Sequence, residues 1–221
     1  MIRTLRRKWY RAQANGAMAK YLSVPLPSKR EDVRALEFLA LDLETTGLDS
    51  ATDRIVSIGS VRIAGDRILG NSARHTLIQI DGSVQQSATI HQITDTDLDT
   101  AVPERSALDA TLDELSGRVL LVHHAAMDYG FLNAACHRHY NMPLITRTVD
   151  TLKLARHLRE RGNQQIKEGE LRLHALRTAY GLPRYAAHNA LSDAVATAEL
   201  YLALLPRWAG RDALPLRTIL A

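Results

Sequence analysis

The chain has 221 residues, 46% of them hydrophobic and 24% charged, with a formal net charge of +4, a balance that suits one globular domain with a well-developed core. No apolar stretch approaches the roughly 18 residues of a membrane span. The single cysteine, Cys136, excludes an internal disulfide framework and a cysteine-pair zinc site, so a reducing, cytoplasmic setting is expected.

The charge is unevenly placed. Residues 1–30 hold eight of the 28 basic side chains (Arg3, Arg6, Arg7, Lys8, Arg11, Lys20, Lys29 and Arg30) and none of the 24 acidic ones, which leaves 20 basic against 24 acidic in the remainder. An acidic body therefore follows a basic arm, taken as residues 1–33. Three readings of the arm stand. It has the arginine content of an organellar transit peptide but little serine; it could be a helix-prone extension that touches phosphates; or it packs on the body through Trp9, Tyr10 and Tyr21. Pro25 and Pro27, followed by SKRED, mark the hinge into a main domain expected over 34–206.

After the hinge the pattern turns to strands. EFLALDLE is apolar and ends at TTG, RIVSIGSVRI and RILG flank a turn at Ala64 to Asp66, and RHTLIQI alternates, which predicts a three-stranded meander. Leu108, Leu112 and Leu115 recur at helical spacing within 104–116, RVLLVH reads as a short buried strand, and a helix is expected over 126–140. VDTLKLARHLRE gives another helix and GNQQIKEGE a mobile surface loop. ELRLHALRTAYGL is helical up to Gly181, with Pro183 behind it. The last helix spans about 190–205, and a short tail, 207–221, follows. Strands first, then helices interleaved with strands, predict an α/β fold: a mixed sheet flanked by helices.

Against this frame several acids are misplaced. Asp42 and Glu44 stand two apart at the end of an apolar strand, so they share a face, and Asp is among the residues strands least favour. Asp128 precedes Phe131, Leu132 and Ala135 on one helix face. Asp193 falls early in the final helix, five residues after His188. Asp128 and Asp193 could each answer to the positive first turn of a helix, and His188 alone could be an ordinary loop histidine. Asp42 and Glu44 have no helix dipole to use. Four carboxylates from three separated segments converge around cations, and all-oxygen ligands select Mg²⁺ or Mn²⁺. Two such ions about 4 Å apart are a device for phosphodiester hydrolysis, in which a neutral histidine can take the proton of the attacking water.

These residues carry a resemblance. LDLETTGLD, VHHAAMDYGFL and HNALSDA, in that order, resemble the three motifs of the DEDDh 3′-5′ exonucleases, the family that includes the proofreading epsilon subunit of bacterial DNA polymerase III. VDTLKLAR and LHALRTAYGL resemble its usual helices, and ATIHQIT its loop with a histidine near the terminal nucleotide. The similarity runs over about residues 36 to 205.

The resemblance implies an RNase H-like fold, two divalent cations and release of nucleoside 5′-monophosphates from a 3′ end. It implies that Asp42 bridges both ions, that Glu44 and Asp193 help hold the nucleophile-side ion, that Asp128 supports the second through water, and that His188 is the general base. Leu43, Thr45, Thr46, His91, His124 and Met127 would border the terminal nucleotide, although Thr45 and Thr46 also read as turn residues. The second motif departs from the family pattern, with His124 where Asn is usual and Met127 where Phe is usual, and Gln92 stands where Gly is common.

The expected substrate is single-stranded DNA, with RNA 3′-end trimming the alternative. A nucleotide-binding module without turnover is the reading from another class. The short tail lacks a clamp-binding peptide and the length of the polymerase-binding extension of epsilon-type subunits, so a free-standing enzyme is expected. Oligomeric state is not legible. His123 and His124, adjacent in the chain, are not expected to share a zinc ion, and His137 and His139 are expected to face solvent.

Overall fold

The structure is a computed structural model and describes residues 2–80, 101–185, 189–210 and 212–221. Strands β1 (Glu37–Thr45), β2 (Ile55–Ala64) and β3 (Arg67–Leu77) form the expected antiparallel meander. β4 (Val119–Val122) lies parallel to β1, and β5 (Thr148–Asp150) lies parallel to β4. The sheet order is β3-β2-β1-β4-β5, the mixed sheet that the sequence predicts.

β1 is the central strand, and its composition follows from that place. Phe38 and Ala40 enter the core on one face, and Leu39 and Leu41 enter the core on the other. A strand buried on both sides reads as a continuous apolar run. RILG and RHTL belong to one strand. Their break in hydrophobic pattern is taken up by a register irregularity between Ser60 and Arg62, where the Ser72 hydroxyl accepts from the Arg62 N–H and donates to the Leu69 carbonyl.

Among the described residues, six helices cover the two faces. α2 (Gly16–Ser23), α3 (Glu104–Leu115) and α4 (Ala125–Tyr140) pack on the Leu39 face, while α5 (Thr151–Arg161), α6 (Leu173–Ala179) and α7 (Ala190–Ala209) pack on the Phe38 face. A first helix, α1 (Ile2–Arg11), precedes them. α6 ends as expected, with Gly181 at a φ of +68° and the Leu182 N–H bonded to the Arg177 carbonyl. α7 runs past Pro206, which lies within it, and stops at Gly210, whose φ is +57°. Three-residue β5 is absent from the sequence reading, which begins the helix at Val149. Its last residue, Asp150, is the N-cap of α5.

Neither the basic arm nor the tail stands apart from the body. Met18, Tyr21 and Leu22 are buried against Leu108, Leu112 and Leu115 of α3. The Arg7 guanidinium is itself buried and donates to the carbonyls of Ile145, Val24 and Tyr21, with the Tyr21 ring 4.5 Å away. Of the three readings of the arm, self-packing accounts for Tyr21, whereas Trp9 is 60% exposed. The tail is strapped to the hinge: the Val33 N–H donates to Leu214 O and the Leu216 N–H to Glu31 O, and Leu214, Leu216 and Ile219 are buried.

Candidate active site

Asp42 and Glu44 close β1 on the Phe38 face, the one covered by α7. Asn189 caps that helix by accepting from the Ser192 N–H at 3.1 Å, which puts Asp193 in the first turn. Opposite Asp42 in the sheet stands Gly59. A Cβ there would lie 2.1–2.2 Å from backbone atoms of Ala190 and Leu191, so the missing side chain is what lets the start of α7 rest on the sheet. The result is that carboxylate oxygens of Asp42, Glu44 and Asp193 lie within 4.8 Å of one another.

Asp128 reaches the same place from the opposite face. After β4 the chain turns through His124, whose φ of 76° and ψ of 66° are left-handed. His and Asn are among the few side chains enriched in that conformation, which accounts for a His where Asn is usual. The turn is pinned by the buried carboxylate of Asp150, which accepts from the N–H groups of His124, Ala125 and Leu152, each at 3.0 Å. α4 therefore starts in a fixed place, and Asp128 in its first turn is 5% exposed and accepts from the Leu43 backbone.

The electrostatics carry the cost of this convergence. Burial, followed by the charges of Asp128, Asp193 and Glu44, holds the Asp42 carboxyl well above the usual range. Asp128 is pushed up to about 8, chiefly by burial, with Asp150 and Glu44 adding to the rise against the backbone hydrogen bonds that lower it. Carboxylates gathered this way repel one another unless a cation lies among them. An oxygen-only donor set fits a hard divalent ion, so the residues present fit the cations that the sequence implies.

The other predicted site residues fall as follows. Leu43 and Met127 are partly buried against the Leu39-face core. Thr45 donates to the Gly47 carbonyl at 2.6 Å, and the Thr46 hydroxyl accepts from the Arg54 N–H at 3.0 Å, so both hydroxyls have work in the turn that follows β1. His124 is exposed. His91 and His188 lie outside the described residues. The His123 ring is held by Thr151 Oγ1 at 2.8 Å and Leu171 O at 3.0 Å. Because a carbonyl only accepts, its Nε2 carries the proton, and burial pushes its pKa down to about 4. His139 differs from the expectation of a solvent-facing ring: Nε2 lies 2.7 Å from Glu104, which also binds Arg138.

Sequence reasoning missed two residues. Gly59 had the signal of a glycine inside an apolar strand, a mark of close backbone approach. Asp150 had the signal of an acid at a helix start, but its bonds to residues 25 and 26 positions earlier are tertiary and leave no local trace.

A mixed sheet of this order, with acids gathered at the end of its central strand, is the architecture of the RNase H-like exonucleases. The chain belongs to the RNase_T exonuclease family, which it matches over residues 39–201. It is 32% identical over 166 residues to the PolC-type DNA polymerase III of Thermotoga maritima, covering 75% of this chain but 12% of that protein. It is also 32% identical over 181 residues to the DNA polymerase III epsilon subunit of Treponema pallidum, covering 79% of each. In fold it is similar to the nuclease domain of 3′hExo, a DEDDh family member solved bound to rAMP, with a TM-score of 0.65, 15% identity, and 83% of this chain and 98% of that one covered. The chain thus spans only about an eighth of the PolC-type relatives it matches.

Proposed function

We propose that this protein is a metal-dependent 3′-5′ exonuclease that releases nucleoside 5′-monophosphates from single-stranded nucleic acid, with DNA preferred. The observation that carries the reading is the meeting of Asp42, Glu44 and Asp193 within 4.8 Å, with buried Asp128 beside them. Two divalent cations, Mg²⁺ or Mn²⁺, would supply an activated water and stabilise the leaving oxygen. Asp42, whose carboxyl feels the charges of Asp128, Asp193 and Glu44, is the residue that would contact both ions. Glu44 and Asp193 would help hold the nucleophile-side ion, and Asp128 would support the second through water. His188, five residues before Asp193, is assigned as the general base that takes the proton of the attacking water. Leu43, Thr45, Thr46, His91, His124 and Met127 are assigned to the terminal nucleotide.

The preference for DNA rests on the two relatives named as DNA polymerase III components; a free-standing enzyme is proposed, with association with a polymerase as the alternative. RNA is the second reading, favoured by the rAMP in the 3′hExo structure. Among the described residues no helix is long and apolar enough to cross a membrane.

The test is product analysis of DNA and RNA oligomers of matched sequence, labelled at either end, with Mg²⁺ or Mn²⁺ and with Asp42→Ala alongside. Stepwise shortening from the 3′ end, faster on DNA and lost in the variant, is expected. Absence of metal-dependent product from both polymers would leave a nucleotide-binding module.

A further inference from the structure

Three cavities, of 570, 650 and 780 Å³, adjoin one another on the α5–α6 side of the molecule. The first is lined by Asp193 of the acid cluster and shares Leu173 with the second, which shares His124, Leu152 and Arg156 with the third. Each is of a size that accepts a ligand the size of a nucleotide. Through these shared residues the three cavities adjoin in series, the first touching the acid cluster at Asp193 and the others lying along α5.

The lining of this course is basic although the body of the protein is acidic. Lys167 and Arg172 border the second cavity, Arg156 the second and third, and Lys153 the third. All four side chains are exposed; Lys167 lies close enough to Glu170 to help lower its pKa, and its backbone N–H donates to the Glu170 carboxylate at 3.2 Å. Arg177, which lines the first cavity, is paired with Glu199. Besides Asp193, the acidic side chains on the course are Glu168 and Asp150, and Asp150 is already bonded to three backbone N–H groups. Tyr185, 43% exposed, adds an aromatic ring beside Asp193. Exposed cations spaced along a groove, with a ring near one end, are what a single strand requires: charge for its phosphates and a surface for a base.

We infer that this groove is the track of the single-stranded polynucleotide upstream of the cleaved end, with Lys153, Arg156, Lys167 and Arg172 contacting its phosphodiesters. The inference rests on the exonuclease reading for its direction, but binding tests it separately from turnover. Each phosphate neutralised on a single strand contributes roughly 0.7 to the slope of log affinity against log salt.

The experiment compares the full chain with a variant carrying Lys153→Gln, Arg156→Gln, Lys167→Gln and Arg172→Gln. Binding of a fluorescent oligothymidylate of about 16 nucleotides, the upper range for one such groove, is measured in EDTA from roughly 50 to 200 mM salt. Hydrolysis of the p-nitrophenyl ester of thymidine 5′-monophosphate, too short to reach the groove, and the melting temperature are measured in parallel. The variant is expected to lose up to about 3 from the salt slope and at least about tenfold in low-salt affinity, with ester hydrolysis and melting unchanged. An unchanged slope and affinity in the variant, or a wild-type protein whose binding is insensitive to salt, would overturn the track. A steep, variant-sensitive slope in a wild-type protein that hydrolyses neither ester nor oligomer would leave the track standing and remove the exonuclease reading.

Discussion

Asp128→Asn is expected to stabilise the metal-free protein while it abolishes hydrolysis. The carboxyl of Asp128 is pushed up to about 8 in the fold, mainly by burial, against about 3.9 in an unfolded chain. Its folded value is raised, so the unfolded state gives up its proton first. The stability that Asp128 contributes in EDTA is therefore fullest below about pH 4, falls as pH rises, and is lost above about pH 8. Asn carries no charge to desolvate, so the variant should gain on the order of a few kcal/mol near pH 8 and lose much of this pH dependence. Divalent cation should restore the wild-type protein by mass action, since it binds the folded state alone, and should do less for the variant. The activity loss should exceed the roughly 10–100-fold that follows removal of a ligand's supporting partner. Thermal melts in EDTA and in Mn²⁺ between pH 4 and pH 9 check the first part, and single-turnover rates check the second. A variant no more stable than the wild type at pH 8 in EDTA would contradict the electrostatic account.

Gly59→Ala should damage the site without touching any acid. The added Cβ has to clear the backbone of Ala190 and Leu191, now 2.1–2.2 Å from where it would sit, and no flexible side chain is there to yield. Either the first turn of α7 lifts or β2 shifts beneath it. Overpacking of this kind costs about 1–3 kcal/mol. Because Asp193 lies in that turn, a displacement of about 1 Å should lower the rate by roughly 10²-fold. A paired Gly70→Ala variant is the control, since a Cβ at Gly70 meets nothing within 4 Å. Melting temperature and the Mn²⁺ concentration for half-maximal rate would be compared. Equal rates in the two variants would show that the seating of α7 does not set the site.

Asp128 was legible in the sequence, whereas Gly59 was not. The acids were legible because strand and helix periods are strict: Asp42 and Glu44 share a face by alternation, and Asp128 shares one with Phe131 and Leu132 by helical spacing. The order of the first three strands and the stop at Gly181 were legible through turn chemistry. What the periods could not carry was long-range. Gly59 looks like a weak point in a strand until α7 is laid across it, and Asp150 looks like a helix cap until its carboxylate is found pinning the turn before α4. Packing of Tyr21 on the body was one of the readings of the arm, whereas the burial of Arg7 was obscured by a local composition that is basic throughout. Pro206 suggested a helix end, yet the helix continues to Ala209 and is stopped by Gly210.

Asp42, Glu44, Asp128 and Asp193 are together proposed to hold divalent cations. Anomalous diffraction from crystals grown with Mn²⁺ and a nucleoside 5′-monophosphate tests it most directly. Manganese peaks between Asp42, Glu44 and Asp193, with a second on the Asp128 side of Asp42, are the expected result. A cluster that stays free of manganese while the same preparation hydrolyses nucleic acid with Mn²⁺ would contradict it.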